Sequence, residues 1–229
     1  MRISKGFVGV LCIVVMAGLV YAGHISGDAA FTKLLEGNKR FTEGKPAVKE
    51  CGAERREELT KGQHPFATVL SCSDSRVPPE VVFDQALGDI FIIRVAGNVI
   101  EPTILGSIEY GVEHLHTPLL IILGHEQCGA VKAALETQGE AEGNIGVILR
   151  KIKPAVESAR KADMGKEETL DLAVRENVKN TYNEIMKSPI VSHLSHEGKL
   201  KIVAAEYRLK SGMIETIELG TAPAGHAHH

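Results

Sequence analysis

Three short apolar runs constrain the fold of this chain more than any other feature of it. Phe66 to Ser71, Ile90 to Val95 and Leu119 to Leu123 have the length of strands, and turn signals bound them. They are near-continuous rather than alternating, the pattern of strands buried on both faces of a parallel sheet. Helix-like stretches stand between and after them, at Pro78 to Phe83, Ile104 to Leu115 and Gly129 to Glu136. This alternation predicts the α/β class, with a mostly parallel central β-sheet flanked by helices.

The flanks add two features. Asp28 to Phe41 reads as a helix with Phe31, Leu34, Leu35 and Phe41 on one stripe, an N-terminal helical arm ahead of the first strand. A charged helix follows over Ala53 to Lys61. The second half is mostly helical, with helices over Val147 to Arg160 and Leu170 to Met186. Pro154 lies inside the first of these and should break or kink it. Leu200 to Arg208 returns to strand, and the turn Lys210-Ser211-Gly212 leads into Met213 to Leu219, a C-terminal edge hairpin. The tail from Thr221 is expected to fray.

Residues 1–22 read as a targeting segment rather than as part of the fold. Arg2 and Lys5 give a positive start, Phe7 to Val20 is uncharged and apolar, and Val20-Tyr21-Ala22 suits a signal peptidase. The run is short of the roughly 20 residues of a membrane span, so no stable membrane insertion is expected after cleavage near Ala22. Residues 23–229 are then a single exported domain, periplasmic or secreted. Without Arg2 and Lys5 the chain keeps 24 basic against 29 acidic residues, a net charge of −5. That balance speaks against nucleic acid, whose binders carry basic patches. Cys12 falls in the leader, and an odd number of cysteines, Cys51, Cys72 and Cys128, does not read as a disulfide framework. Cys51 reads as a partly buried helical thiol.

Two segments carry the chemistry. Cys72-Ser73-Asp74-Ser75-Arg76 directly follows the first apolar strand, and His125-Glu126-Gln127-Cys128-Gly129 directly follows the third. The carboxyl ends of parallel strands meet at one edge of a sheet, where open α/β folds place their sites. Two thiolates and an imidazole at one edge form a donor set suited to zinc. Water or Asp74 would take the fourth position. A structural site is closed by four protein ligands, whereas a catalytic one keeps a position open. Gly97, Gly124 and Gly129 are expected to allow close backbone approach nearby. Gly129 also opens a helix whose amides can favour a Cys128 thiolate.

C-S-D-S-R followed by G-H-x-x-C-G resembles the signature of the β-carbonic anhydrases. G-N-K-R-F at Gly37 to Phe41, G-Q-H-P-F at Gly62 to Phe66, R-V-A-G-N at Arg94 to Asn98 and S-I-E-Y at Ser107 to Tyr110 follow the same family in order. So do C-G-A-V-K-A-A-L at Cys128 to Leu135 and E-N-V at Glu176 to Val178. The resemblance implies reversible hydration of carbon dioxide to bicarbonate and a proton, with one zinc per subunit held by Cys72, His125 and Cys128. It makes Asp74 and Arg76 the catalytic pair, with Asp74 accepting the hydrogen bond of the zinc-activated nucleophile and Arg76 holding Asp74 off the metal.

Three further residues match the plant-type, open-site subclass. Gln63 would donate to a substrate oxygen, and Phe91 and Tyr110 would wall the pocket. A second subclass carries a Trp where this chain has Val69, and the chain has no Trp. No bicarbonate site of that subclass is therefore expected. Family members are dimers or multiples of dimers whose first helix reaches the partner, so the resemblance implies a homodimer or a multiple of dimers. A carbon disulfide or carbonyl sulfide hydrolase and a non-catalytic zinc module are the competing readings. No single histidine among His64, His114, His116, His193 and His196 stands out as a proton relay, and His226, His228 and His229 read as a solvated tail.

Overall fold

The computed structural model describes residues 25–139 and 141–219. The leader over residues 1–22 and the histidines of the tail lie outside the described residues. Five strands, β1 (Ala67–Ser71), β2 (Ile90–Arg94), β3 (Leu119–His125), β4 (Lys201–Tyr207) and β5 (Ile214–Thr216), form one sheet in the order β2-β1-β3-β4-β5. The first four are parallel, and β5 runs antiparallel to β4 as the expected edge hairpin. Every residue of β1 and of β3 is buried, whereas the edge strand β2 buries only Ile93. The apolar runs thus lack polar alternation because their strands have a helix layer on each side.

The two layers divide β3 residue by residue. Leu119, Ile121 and Leu123 share a core with Ala30 and Leu34 of α1 (Gly27–Thr42) and Val82 of α3 (Pro79–Val82). Leu120 and Ile122 share the opposite core with Ile108 of α4 (Pro102–Glu109), Val178 and Ile185 of α7 (Lys166–Ile185) and Val191 of α8 (Pro189–His196). A third core joins α5 (Gly129–Glu136), α6 (Ile145–Arg160) and α7 around Cys72, Cys128 and Ile152, at the carboxyl end of the sheet. Between α1 and α3, α2 (Ala53–Leu59) buries no residue, as its charged sequence requires. No described helix is long and apolar enough to cross a membrane.

Three expectations need correction. Helix α6 runs unbroken through Pro154. Pro154 and Arg150, whose carbonyl loses its donor, both face solvent, so water can take that carbonyl. Leu149, Ile152, Ala155, Val156 and Ala159 meanwhile anchor the opposite face in the core. Cys51 is exposed and precedes α2 instead of lying half-buried on a helix. The helix expected to Leu115 is α-helical only to Glu109, and Tyr110–His114 widen into a π-helical turn.

Candidate metal centre

Strands β1 and β3 are parallel neighbours, with Ser71 opposite Leu123, so they end at the same edge. Cys72 is the first residue past β1, His125 is the last of β3, and Cys128 caps the N-terminus of α5. Among the described residues, the two sulfurs and an imidazole nitrogen lie within 4.8 Å of one another, and all three residues are buried.

The imidazole is oriented for a metal. His125 Nδ1 lies 2.9 Å from the backbone carbonyl of Glu126. A carbonyl only accepts, so Nδ1 carries the proton and Nε2 keeps a lone pair. Nε2 is buried and has no hydrogen-bond partner among the described residues. A buried bare acceptor is costly unless something satisfies it, and a cation between two thiols does so. The thiols suit the same cation. Cys72 is held well below the usual thiol range by its hydrogen bond with Cys128, helped by the amide of Gly97, which donates to Cys72 Sγ at 3.3 Å. Cys128 is pushed up because it keeps the proton the two share, and burial adds to this; the amides of Val131 and Ala130 at the start of α5 pull the other way.

Asp74 and Arg76 stand beside the cluster. Arg76 grips Asp74 with Nε on Oδ1 at 2.9 Å and Nη2 on Oδ2 at 2.7 Å, and its own amide donates to Oδ1 at 3.0 Å. The guanidinium holds the Asp74 carboxyl far below the usual carboxylate range, its bonds outweighing partial burial. Asp74 Oδ2 is 3.8 Å from His125 Nε2, so the carboxylate borders the metal position. Arg94, at the end of β2, pins the loop between them by donating to the carbonyls of Cys72 at 3.0 Å and Asp74 at 2.7 Å.

Residues 67–214 match the family model described as carbonic anhydrase. A solved β-carbonic anhydrase from Aspergillus fumigatus superposes with a TM-score of 0.69 at 28% identity, covering 84% of this chain and 92% of that one. The chain belongs to the β-carbonic anhydrase family. It is 40% identical to a carbonic anhydrase of Mycolicibacterium smegmatis over 191 residues, 82% of this chain and 91% of the relative. One of two tetrameric β-carbonic anhydrases from Sordaria macrospora superposes with a TM-score of 0.68 at 25% identity, covering 85% of this chain and all of that one. The activity is therefore the zinc-dependent, reversible hydration of carbon dioxide. These relatives favour carbon dioxide over the sulfur compounds, and Asp74 and Arg76, whose loss would mark a non-catalytic module, are both present.

This β-carbonic anhydrase brings five of the eight expected site residues together and leaves three apart. Phe91 is in register with Thr68, four residues before Cys72, which puts it roughly 13 Å back along the strands at about 3.3 Å per residue. Tyr110 packs against Phe91 with ring centroids 6.0 Å apart. Gln63 is exposed and precedes β1, so it too stands towards the amino end of the sheet. Within one subunit these three do not face the cluster.

Two of the three glycines expected to allow close approach do so. Gly97 adopts φ +68°, and a Cβ there would meet Ile152 at 2.7 Å, so only glycine fits while donating to Cys72. Asn177 of the E-N-V motif holds this turn by donating to the Gly97 carbonyl at 2.8 Å. Gly124 lets α7 approach, since a Cβ there would meet Val178 at 2.6 Å. Gly129, by contrast, has open space around it, so close approach is not its reason.

Proposed function

We propose that Cys72, His125 and Cys128 hold the catalytic zinc and that Asp74 and Arg76 serve a coordination position left open for the substrate water. The grip of Arg76 on both oxygens of Asp74 carries this reading, because it fixes the carboxylate beside the metal position instead of on it. Bound zinc would lower the pKa of a water from roughly 16 to about 7, so that hydroxide is available near neutral pH. Asp74, kept ionised, can only accept a hydrogen bond, and accepting one orients the nucleophile towards the carbon of CO2. The charge of Arg76 stays neutralised in the pair, which keeps the carboxylate from swinging inward. Stopped-flow CO2 hydration by the zinc-loaded protein, compared with Asp74→Asn across pH, tests the assignment. A variant about 100-fold slower supports it. A variant as fast as the parent removes Asp74 from the reaction.

Gln63, Phe91 and Tyr110 are proposed to complete the pocket from a second subunit of a homodimer. Their displacement from the cluster in one chain and the half-exposed edge strand β2 support this, as does the tetrameric state of the Sordaria enzyme. Mixing Asp74→Asn chains with Gln63→Ala chains tests it. In a shared site each mixed dimer regains one site with both residues intact, so activity returns. A site made by one chain regains none. Export and removal of residues 1–22 are proposed on the composition of that segment alone, and N-terminal mapping of the mature protein checks them.

A further inference from the structure

The support behind His125 is built by a segment some eighty residues further along the chain. Register pairs His125 with Tyr207, so Glu126 and Arg208 leave the sheet side by side. The Glu126 amide donates to the Tyr207 carbonyl at 2.9 Å. Its carboxylate accepts from Arg208 Nη2 at 3.0 Å on one oxygen and from the Leu209 amide at 2.9 Å on the other. The carbonyl of the same residue receives His125 Nδ1. Glu126 is thus tied at its amide and at both carboxylate oxygens, and the carbonyl that sets the imidazole has little freedom to turn.

Arg208 is itself anchored. Its Nη1 lies 2.5 Å from Asp171 Oδ1 and 3.2 Å from Glu206 Oε1, while Arg175 Nε holds the other Glu206 oxygen at 3.0 Å. Arg175 belongs to the same ion cluster, through Asp171, Glu206 and Glu215, yet makes no hydrogen bond or ion pair with Glu126. An ordinary structural ion cluster would treat the two arginines alike. A support chain for the metal ligand would depend on Arg208 alone.

We infer that Glu126 and Arg208 are positioning residues for His125, fixing its tautomer and ring orientation so that Nε2 is presented to zinc. The inference rests on His125 being a zinc ligand. Partners that orient a ligating histidine typically change metal affinity by about 10–100-fold when removed.

The test is zinc affinity of the full chain by competition with a chromophoric chelator, together with the visible spectrum of the cobalt-substituted protein. Arg208→Met and Glu126→Ala should each weaken zinc at least about 10-fold and shift the cobalt bands. The double variant should bind no more weakly than the worse single one, because both break one chain of contacts. Arg175→Met should lose thermal stability while keeping zinc affinity within about twofold, a change too small for an orienting partner. Arg208→Met and Glu126→Ala both within that range would overturn the inference, as would an Arg175→Met loss equal to that of Arg208→Met. If Arg208→Met does not fold, Glu126→Ala carries the test, since it leaves the contacts of Arg208 with Asp171 and Glu206 in place. His125→Ala separates the two levels. If it binds zinc as tightly as the parent, the ligand assignment fails; if it alone loses zinc, only the positioning role fails.

Discussion

Replacing Arg76 by leucine should close the metal centre without emptying it. Leucine keeps the backbone N–H that donates to Asp74 Oδ1 but removes the side-chain bonds of 2.9 and 2.7 Å. Hydrogen bonds to charged groups contribute about 1.5–3 kcal/mol each where water is excluded. The Arg76 side chain is 51% exposed, so screening reduces the pair to about 2–3 kcal/mol in all. At about 1.4 kcal/mol per factor of ten, roughly 30–140 times more of the protein would then hold Asp74 turned inward. The move is short, because Asp74 Oδ2 already stands 3.8 Å from His125 Nε2. The expected result is a kcat/KM for CO2 hydration lower by about 30-fold or more, with full zinc content and cobalt bands shifted to a site closed by four protein ligands. Arg76→Lys, with a point charge in place of a fork, should fall between the two. Parental activity in Arg76→Leu would refute the reasoning, and so would lost activity with an unchanged cobalt spectrum, since inward collapse would not be its cause.

The two other perturbations concern the scaffold. Glu206 is fully buried, and burial, reinforced by Asp171, raises its carboxyl from 4.5 to about 7 against the pull of Arg175 and Arg208. Because the folded value lies above the unfolded one, the protonated residue favours the fold below about pH 4.5, and that contribution, up to ~3 kcal/mol, is lost as pH rises through about 7. Glu206→Gln should therefore melt with less change between pH 5 and pH 8 than the parent, and equal changes would sink the idea. Pro154→Ala restores an N–H to α6 at an exposed position, so denaturant unfolding should show a gain of about 2 kcal/mol, the roughly 3 kcal/mol helix penalty less the entropy proline removes from the unfolded chain. An unchanged midpoint would show that the helix already accommodates the ring without cost.

Much of the fold was legible in local pattern. The strands β1, β2 and β3 announce themselves as apolar runs, and α5 spans the expected Gly129–Glu136. Helix α8 is marked locally as well, by Ser188 accepting from the Val191 amide ahead of Pro189 at the first turn. Pro154 misled because propensity is a local term, while the buried face of α6 responds to neighbours far away in sequence.

The sequence by itself determined the donor set. Cysteine, histidine, aspartate and arginine directly after two apolar strands have to meet at one sheet edge if those strands are parallel, since every parallel strand ends on the same side. Only the tertiary structure decided what holds that set in place. Arg94, Glu126, Asn177 and Arg208 are ordinary polar residues until strand register and helix packing bring them against a particular carbonyl or carboxylate. Tertiary structure also separated Gln63, Phe91 and Tyr110 from the cluster, because strand register sets distance along the sheet and no motif records it. Hydrogen bonds act over about 3 Å, so their partners become known only when the chain is folded.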